Sequence, residues 1–133
     1  MPKILITGAA GFIGFHLTRK LLQQNYTIIG IDEINDYYDP QLKWDRLKAL
    51  GLQQNVIEYK GSQTGGRFTF IRMSTYEKEK IENLFNETQF DYIVHLAAQA
   101  GVRNSIDNPY AYTQSNIEGF LPILESCRHY PPK

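Results

Sequence analysis

The sequence predicts an α/β fold with a doubly wound parallel sheet. Short apolar runs alternate along the chain with segments of helical periodicity, and glycine, proline or acidic residues separate them. Alternating strands and helices place the strands in parallel, with helices on both faces of the sheet. Right-handed crossovers between such strands then produce double winding. A chain of 133 residues corresponds to one domain of this kind.

The first strand and helix flank a glycine-rich turn. The apolar run 3–7 stops at a glycine, which is typical of a buried strand. Over 11–24 the apolar residues Ile13, Leu17 and Leu21 are spaced by four, which predicts one buried helical stripe. The next apolar run, 26–32, predicts the second strand of the sheet.

The second helix is predicted mainly from its ends. Asp39 suits the N-cap, Pro40 the first helical position and Gly51 the C-terminal stop. Between them the apolar stripe is weaker, and it consists of Leu42, Leu47 and Leu50.

Residues 53–67 show the weakest secondary-structure pattern of the chain, and clear patterns return after residue 67. We expect 56–59 to pair with 68–71 across the glycine-rich segment 61–66, and 68–72 to be a sheet strand. Ser74 with Glu77 three residues later predicts a capping box for the next helix. The buried face of that helix consists of Ile81, Leu84 and Phe85.

One further strand and one long helix complete the predicted elements. The apolar run 92–98 is the strand, and Asn108 with Pro109 begins a helix that continues to about residue 129. Pro122 lies inside this helix, where it removes one backbone hydrogen bond and crowds the carbonyl of Glu118. The sequence therefore predicts a kink near Pro122.

Composition excludes several functional classes. Fourteen Lys and Arg balance fourteen Asp and Glu, so the chain has no net charge that would attract nucleic acid or an anionic membrane. The single cysteine, Cys127, excludes an internal disulfide framework and a multi-cysteine zinc site, and we expect no metal. No apolar run approaches the roughly 20 residues that span a bilayer, and because the apolar stretch at the N-terminus is short, we expect no signal peptide. We therefore expect a cytoplasmic protein without nucleic-acid or membrane partners.

The segment 7–14, TGAAGFIG, is the strongest functional signal. It follows a predicted strand and begins a helix, and its glycines Gly8, Gly11 and Gly14 permit a tight turn and close backbone approach to a pyrophosphate. Asp32 ends the next strand, where its carboxylate suits a ribose diol. If Asp32 only capped a turn, the glycines would remain unexplained. The pattern therefore predicts a dinucleotide site.

Asp32 also favours NAD over NADP. A carboxylate repels a 2′-phosphate and accepts hydrogen bonds from a free 2′-hydroxyl, and no Arg or Lys lies within the glycine loop to hold a phosphate.

The glycine spacing, together with HLAAQAG at 95–101, resembles the extended short-chain dehydrogenase/reductase superfamily. Segments 30–47 and 95–128 look most like its NAD-dependent nucleotide-sugar epimerases and dehydratases, above all the UDP-glucuronate 4-epimerases. The resemblance covers nearly the whole chain apart from 53–67, and it implies a Rossmann fold.

The resemblance implies a reaction as well. NAD takes a hydride from C4 of the sugar, the 4-keto intermediate rotates, and the hydride returns to its other face. In the family a tyrosine, with a lysine four residues later, acts as general acid and base. That pair follows the next strand, so we expect a fold truncated after its fourth main strand and helix. The chain would then be a partial NAD-binding domain over 1–133, without catalytic or sugar-binding segments and inactive alone.

One tyrosine–lysine pair with the required spacing does occur, Tyr76 and Lys80. It precedes the HLAAQAG strand, too early for the family position, and we interpret it as a chance match on a solvated helix face. No catalytic residue is therefore assigned within the chain.

Fourteen residues match cofactor-binding positions of the family. They form the pyrophosphate loop, the adenosine end and the stretch beside the nicotinamide ribose: Gly8, Gly11, Phe12, Ile13, Gly14, Asp32, Asn35, Asp36, Lys43, Ser74, Leu96, Ala97, Ala98 and Gln99. Ser74 stands where the family usually has an aspartate that accepts from the adenine amino group. A serine accepts without charge, or it only caps the helix. Arg103 is a candidate for a substrate phosphate or carboxylate, or for a surface ion pair.

Two other functional hypotheses remain open at this stage. The chain is a non-catalytic dinucleotide-binding or redox-sensing module of the same superfamily, or it retains the fold and binds no ligand. A UDP-sugar is expected to bind only the full-length protein. Self-association, as a homodimer or larger species, is expected through the last helix or through strand 92–98 as an exposed edge.

Overall fold

A computed structural model describes all 133 residues, with one sheet between two layers of helices. The elements, in chain order, are β1 (Lys3–Thr7), α1 (Phe12–Gln23), β2 (Thr27–Asp32), α2 (Gln41–Ala49), α3 (Gln54–Lys60), β3 (Ser62–Gly65), β4 (Phe68–Arg72), α4 (Lys78–Glu87), β5 (Tyr92–His95), α5 (Val102–Asp107), α6 (Pro109–Thr113), a π-helical turn (Gln114–Glu118) and α7 (Leu121–His129). None of the helices combines the length and apolar character needed to cross a bilayer.

The sheet has the order β3-β4-β2-β1-β5. The four strands β1, β2, β4 and β5 are parallel, and only β3 runs antiparallel to its neighbour. Leu5, in the middle of β1, pairs with Ile29 of β2 and with Ile93 of β5. The predicted parallel α/β fold is thus confirmed, and the carboxyl ends of the parallel strands meet at one edge, where ligands bind in such sheets.

Alternating side chains of β1 divide the core between the two faces. Ile4 and Ile6 join a cluster with Trp44 of α2, while Leu5 joins a second cluster with Ile81 of α4. Because strand side chains point alternately to opposite faces, these two clusters lie on opposite sides of the sheet. This arrangement confirms the predicted double winding.

The predicted pairing of 56–59 with 68–71 is wrong. Residues 54–60 form α3, in which Ile57 is buried and Tyr59 is exposed, and Gly61 ends the helix with φ of +74°. The antiparallel partner of β4 is β3, inside the glycine-rich segment itself. Its residues alternate only between exposed and half-buried, so no apolar run marked it as a strand.

The predicted long helix from 109 to 129 is divided. It consists of α6, the π-helical turn and α7, and α5 precedes it without having been predicted. Gly119 lies at the break, where a β-carbon would clash with Ser115 and Thr75. Pro122 lies in the first turn of α7, where a missing N–H costs no helical hydrogen bond. The helix therefore breaks before the proline instead of kinking at it.

Two predicted core positions are also wrong. Ile13 is 65% exposed and Leu42 is 48% exposed, while Phe15 and Trp44 are buried in the same helices. Both misplaced residues lie in the first turn of their helix.

Candidate dinucleotide-binding site

The turn after β1 depends on glycine at two points. Gly8 has φ of +70°, and a β-carbon there would lie 2.9 Å from the backbone nitrogen of Ala97. Gly14 sits in α1 directly over the turn, and a β-carbon there would clash with the carbonyl oxygen of Gly8. The N–H of Gly11 donates to that carbonyl at 3.0 Å, which closes the turn. The turn and the start of α1 are therefore packed backbone to backbone.

The first turn of α1 presents free donors. The backbone N–H groups of Phe12, Ile13 and Gly14 have no acceptor within the chain, and the N-cap, Gly11, has no side chain to cover them. An uncapped helix N-terminus carries partial positive charge, which suits an anion such as pyrophosphate. The predicted glycine loop thus has the geometry its proposed role requires.

Asp32, at the end of β2, is held on both carboxylate oxygens. Oδ2 accepts from the N–H of Ala10 at 3.1 Å, and Oδ1 accepts from the N–H of Ile34 at 2.9 Å. Lys43 of α2 donates to Oδ1 at 2.8 Å, and both side chains of this ion pair are largely buried. The carboxylate is therefore fixed beside the glycine turn.

Helix α2 brings two cations to this end of the site, the predicted Lys43 and the unpredicted Arg46. Lys43 pairs with Asp32, and Arg46 donates to the carbonyl of Ala10 at 3.0 Å and to the hydroxyl of Tyr38 at 3.1 Å. The sequence argument for NAD rested on the carboxylate of Asp32 and on the absence of cations in the glycine loop. Lys43 offsets part of the carboxylate's charge, so discrimination against a 2′-phosphate is weaker than Asp32 alone would give.

The strand predicted over 92–98 ends at His95, and the residues after it turn onto the side chain of Thr7. Oγ1 of Thr7 accepts hydrogen bonds from the N–H groups of Leu96 and Ala97, both at 3.0 Å. His95 lies with Nδ1 at 2.8 Å from the same hydroxyl, and burial lowers the pKa of its imidazole. Residues 96–101 leave the sheet as a loop that passes over Gly8.

The π-helical turn holds this loop from outside. The side-chain amide of Asn116 accepts from the N–H of Gln99 at 2.8 Å and donates to its carbonyl at 3.1 Å. The side chain of Gln99 in turn accepts from Asn35 at 3.2 Å, across the cleft. π-Helical turns are frequent at functional sites, and here one positions a backbone segment through a paired amide contact.

These elements enclose a cleft of about 290 Å³ at the carboxyl edge of the sheet. Eleven predicted cofactor residues line it: Gly8, Gly11, Phe12, Asp32, Asn35, Lys43, Ser74, Leu96, Ala97, Ala98 and Gln99. Ile13 and Gly14 do not line the cleft. Both contribute free backbone N–H groups, and Gly14 packs closely on Gly8. Asp36 borders a neighbouring polar cavity, and Arg103 is exposed on α5 outside the cleft.

Several residues that line the cleft were not predicted from the sequence as site residues. They follow β2 and β4 or belong to the π-helical turn: Glu33, Tyr37, Tyr38, Met73, Thr75, Tyr76 and Ser115.

The predicted capping box of Ser74 and Glu77 is only half formed. The carboxylate of Glu77 accepts from the N–H of Ser74 at 2.7 Å, whereas the Ser74 hydroxyl donates to Glu33, also at 2.7 Å.

Tyr76 and Lys80 do not converge on the cleft. Tyr76 lies in the turn before α4 and lines the cleft, which corrects its placement on a solvated helix face. Lys80 is exposed and forms an ion pair with Glu77 at 2.9 Å. The structure therefore contains no tyrosine–lysine pair built from these two residues.

Known proteins are similar to nearly the whole of this chain. A model of the GDP-mannose 4,6 dehydratase family matches residues 5–133. Protein CapI from Staphylococcus aureus is 47% identical over 96% of this chain and 34% of its own length. UDP-glucuronate 4-epimerase 4 from Arabidopsis thaliana is 38% identical over 98% of this chain and 27% of its own length.

A solved structure is similar over the same region. UDP-glucuronic acid 4-epimerase from Bacillus cereus, in complex with UDP-glucuronic acid and NAD, superposes with a TM-score of 0.76 at 35% identity, over 96% of this chain and 36% of that one. The chain thus spans about a third of the length of these relatives. From strand order, glycine turn and family match together, the chain belongs to the GDP-mannose 4,6 dehydratase family, among the nucleotide-sugar epimerases and dehydratases of the extended short-chain dehydrogenase/reductase superfamily.

Proposed function

We propose that this chain is the NAD-binding domain of a nucleotide-sugar epimerase. For the full-length protein we propose UDP-glucuronate as the substrate, epimerised at C4 through a 4-keto intermediate. The similarity to UDP-glucuronate 4-epimerases from a plant and a bacterium supports this substrate class.

One observation carries the proposal for the cofactor. Free N–H groups of Phe12, Ile13 and Gly14 lie at the start of α1, and Phe12 and the fixed carboxylate of Asp32 both line one cleft. The donors suit the pyrophosphate, and the pair of Asp32 with Lys43 suits the adenosine ribose. Bound NAD supplies the hydride acceptor and donor. The chain's own residues hold it in place and, through the loop 96–99, cover one wall of the cleft.

The chemistry itself is proposed to require residues beyond these. A general acid for the sugar hydroxyl needs a tyrosine whose pKa a nearby lysine lowers. Tyr76 lacks that neighbour, because Lys80 is turned to the surface and paired with Glu77. We therefore expect the 133 residues to bind NAD and to leave UDP-glucuronate unchanged.

Two measurements test the proposal. Calorimetry should show that NAD binds more tightly than NADP, and Asp32→Ala should narrow the difference. An assay for conversion of UDP-glucuronate to UDP-galacturonate should show no turnover, with or without added NAD. Absence of NAD binding would refute the cofactor assignment. Turnover that disappears in Tyr76→Phe would refute the proposal that these 133 residues contain no catalytic tyrosine.

A further inference from the structure

Glu33 places a second carboxylate in the cleft, directly after Asp32. Its Oε2 accepts from the hydroxyl of Ser74 at 2.7 Å, and its Oε1 accepts no hydrogen bond from any residue of the chain. Glu33 and Ser74 both line the cleft. Ser74 therefore orients a carboxylate of which one oxygen stays available to a ligand.

The position of this carboxylate fits the base of a dinucleotide. If the ribose binds at Asp32 and the pyrophosphate at α1, the base extends away from β1, toward the end of the neighbouring strand β4. There the cleft is walled by Ile31, Met73 and Thr75, and its polar edge is formed by Glu33 with Ser74. A slot with apolar walls and one polar edge suits a flat heteroaromatic ring.

We propose that Glu33 is the residue that selects the adenine base. This inference rests on the proposed binding of NAD and adds to it. The free Oε1 accepts a hydrogen bond from the exocyclic amino group of adenine. A 6-oxo purine presents an acceptor at the same position, so two acceptors face each other without a proton between them, and binding is weakened.

The same geometry settles the role of Ser74. Its hydroxyl proton is committed to Glu33, and its backbone N–H to Glu77, so the serine positions the carboxylate. The negative charge that a serine lacks at this edge is supplied from β2 by Glu33. Ser74 is thus a positioning residue, and its loss should weaken base selection without abolishing dinucleotide binding.

The test compares NAD with nicotinamide hypoxanthine dinucleotide, which differs only in carrying oxygen where adenine has its amino group. Calorimetry on the protein should show that NAD binds roughly ten- to hundredfold more tightly. In Glu33→Gln the ratio should fall to within about threefold, because an amide can turn either a donor or an acceptor to the base. Ser74→Ala should give an intermediate ratio. Glu58→Gln, which removes an exposed carboxylate of α3, is the matched control and should keep the original ratio.

The outcomes separate this inference from the function it rests on. If neither dinucleotide binds, the proposed NAD site falls and this inference with it. If NAD binds and the hypoxanthine analogue binds equally well, only the role of Glu33 is overturned. An undiminished ratio in both Glu33→Gln and Ser74→Ala, with folding confirmed by circular dichroism, would overturn it as well.

Discussion

The hydroxyl of Thr7 donates its proton to Nδ1 of His95, 2.8 Å away. The direction of this bond follows from the other partners of Thr7, because its oxygen already accepts from the N–H groups of Leu96 and Ala97. A hydroxyl has two acceptor sites and one proton, so only donation remains. His95 is therefore neutral, with its own proton on Nε2.

This tautomer predicts a pH-dependent stability. Burial lowers the pKa of His95 below the ordinary 6.5, so as pH falls the unfolded chain takes up this proton before the folded one does. The contribution is complete above about pH 6.5 and declines below it, by at most about 1.4 kcal/mol per pH unit. Urea unfolding from about pH 8 to about pH 5 should show this decline, and His95→Asn should reduce it. An unchanged pH dependence in the variant would contradict the assignment.

Replacing Thr7 tests the two backbone bonds it accepts. Thr7→Val keeps the shape of the side chain but leaves the N–H of Ala97 without an acceptor, while the N–H of Leu96 keeps only the backbone carbonyl of Thr7, at 3.2 Å. We expect the free energy of unfolding to fall by about 1–3 kcal/mol and NAD binding to weaken, because the loop beside the cleft loses its anchor. Thr7→Ser retains the hydroxyl and should behave nearly as the parent does. Equal effects of the two variants would show that packing, and not hydrogen bonding, matters there.

The ion pair between Lys43 and Asp32 should be costly to break from one side. Both side chains are largely shielded from water, so Lys43→Met leaves a carboxylate without its counter-charge. Chemical denaturation should show a loss of about 3 kcal/mol. The double variant Asp32→Asn with Lys43→Met should recover part of that loss. A double variant less stable than Lys43→Met alone would contradict the argument.

Gly14→Ala should prevent dinucleotide binding. A β-carbon at this position clashes with the carbonyl of Gly8, so the turn must move and the free N–H groups lose their alignment. Gly51→Ala is the control, because Gly51 also adopts a positive φ, +92°, but has open space around it. That variant should lose about 1–2 kcal/mol of stability and bind NAD as before. Calorimetry that finds unimpaired binding in Gly14→Ala would refute the role of the turn.

Self-association is expected from two exposed surfaces. Apolar side chains on α5 and α7 face solvent, among them Val102, Ile106 and Leu121, and β5 pairs within the chain only with β1. Light scattering over a dilution series should show a dimer or larger species. Leu121→Glu should disperse it if helices make the contact, and Tyr92→Lys if strand edges do. A monomer at high concentration would contradict both routes.

The strands and the glycine turn could be predicted from sequence because local patterns determine them. The run before Gly8 and the run ending at Asp32 are β1 and β2 nearly to the residue. The strand β3 could not be found in this way, since its stability comes from pairing with β4 and not from its own apolar residues. The same holds for α5, a helix of six residues without a buried side chain.

Most of the cleft lining could be predicted, but not the contacts that hold it together. The pyrophosphate loop and Asp32 follow from spacing, and eleven of the fourteen predicted positions line the cleft. The pairings of those residues did not follow, because tertiary structure brings the two members together: Lys43 meets Asp32 across 11 positions, Ser74 meets Glu33 across 41, and Asn116 meets Gln99 across 17. A pattern within one element carries no information about such pairs.

The interior place of β1, between β2 and β5, has a consequence for synthesis on the ribosome. The N–H of Lys3 bonds the carboxylate of Asp91, 88 positions later, so one side of the first strand stays bare until β5 has emerged. The loop over Gly8 and the turn that carries Asn116 follow later still. The complete cleft can therefore form only after most of the chain has emerged, and the open side of β1 is exposed to wrong strand partners until then.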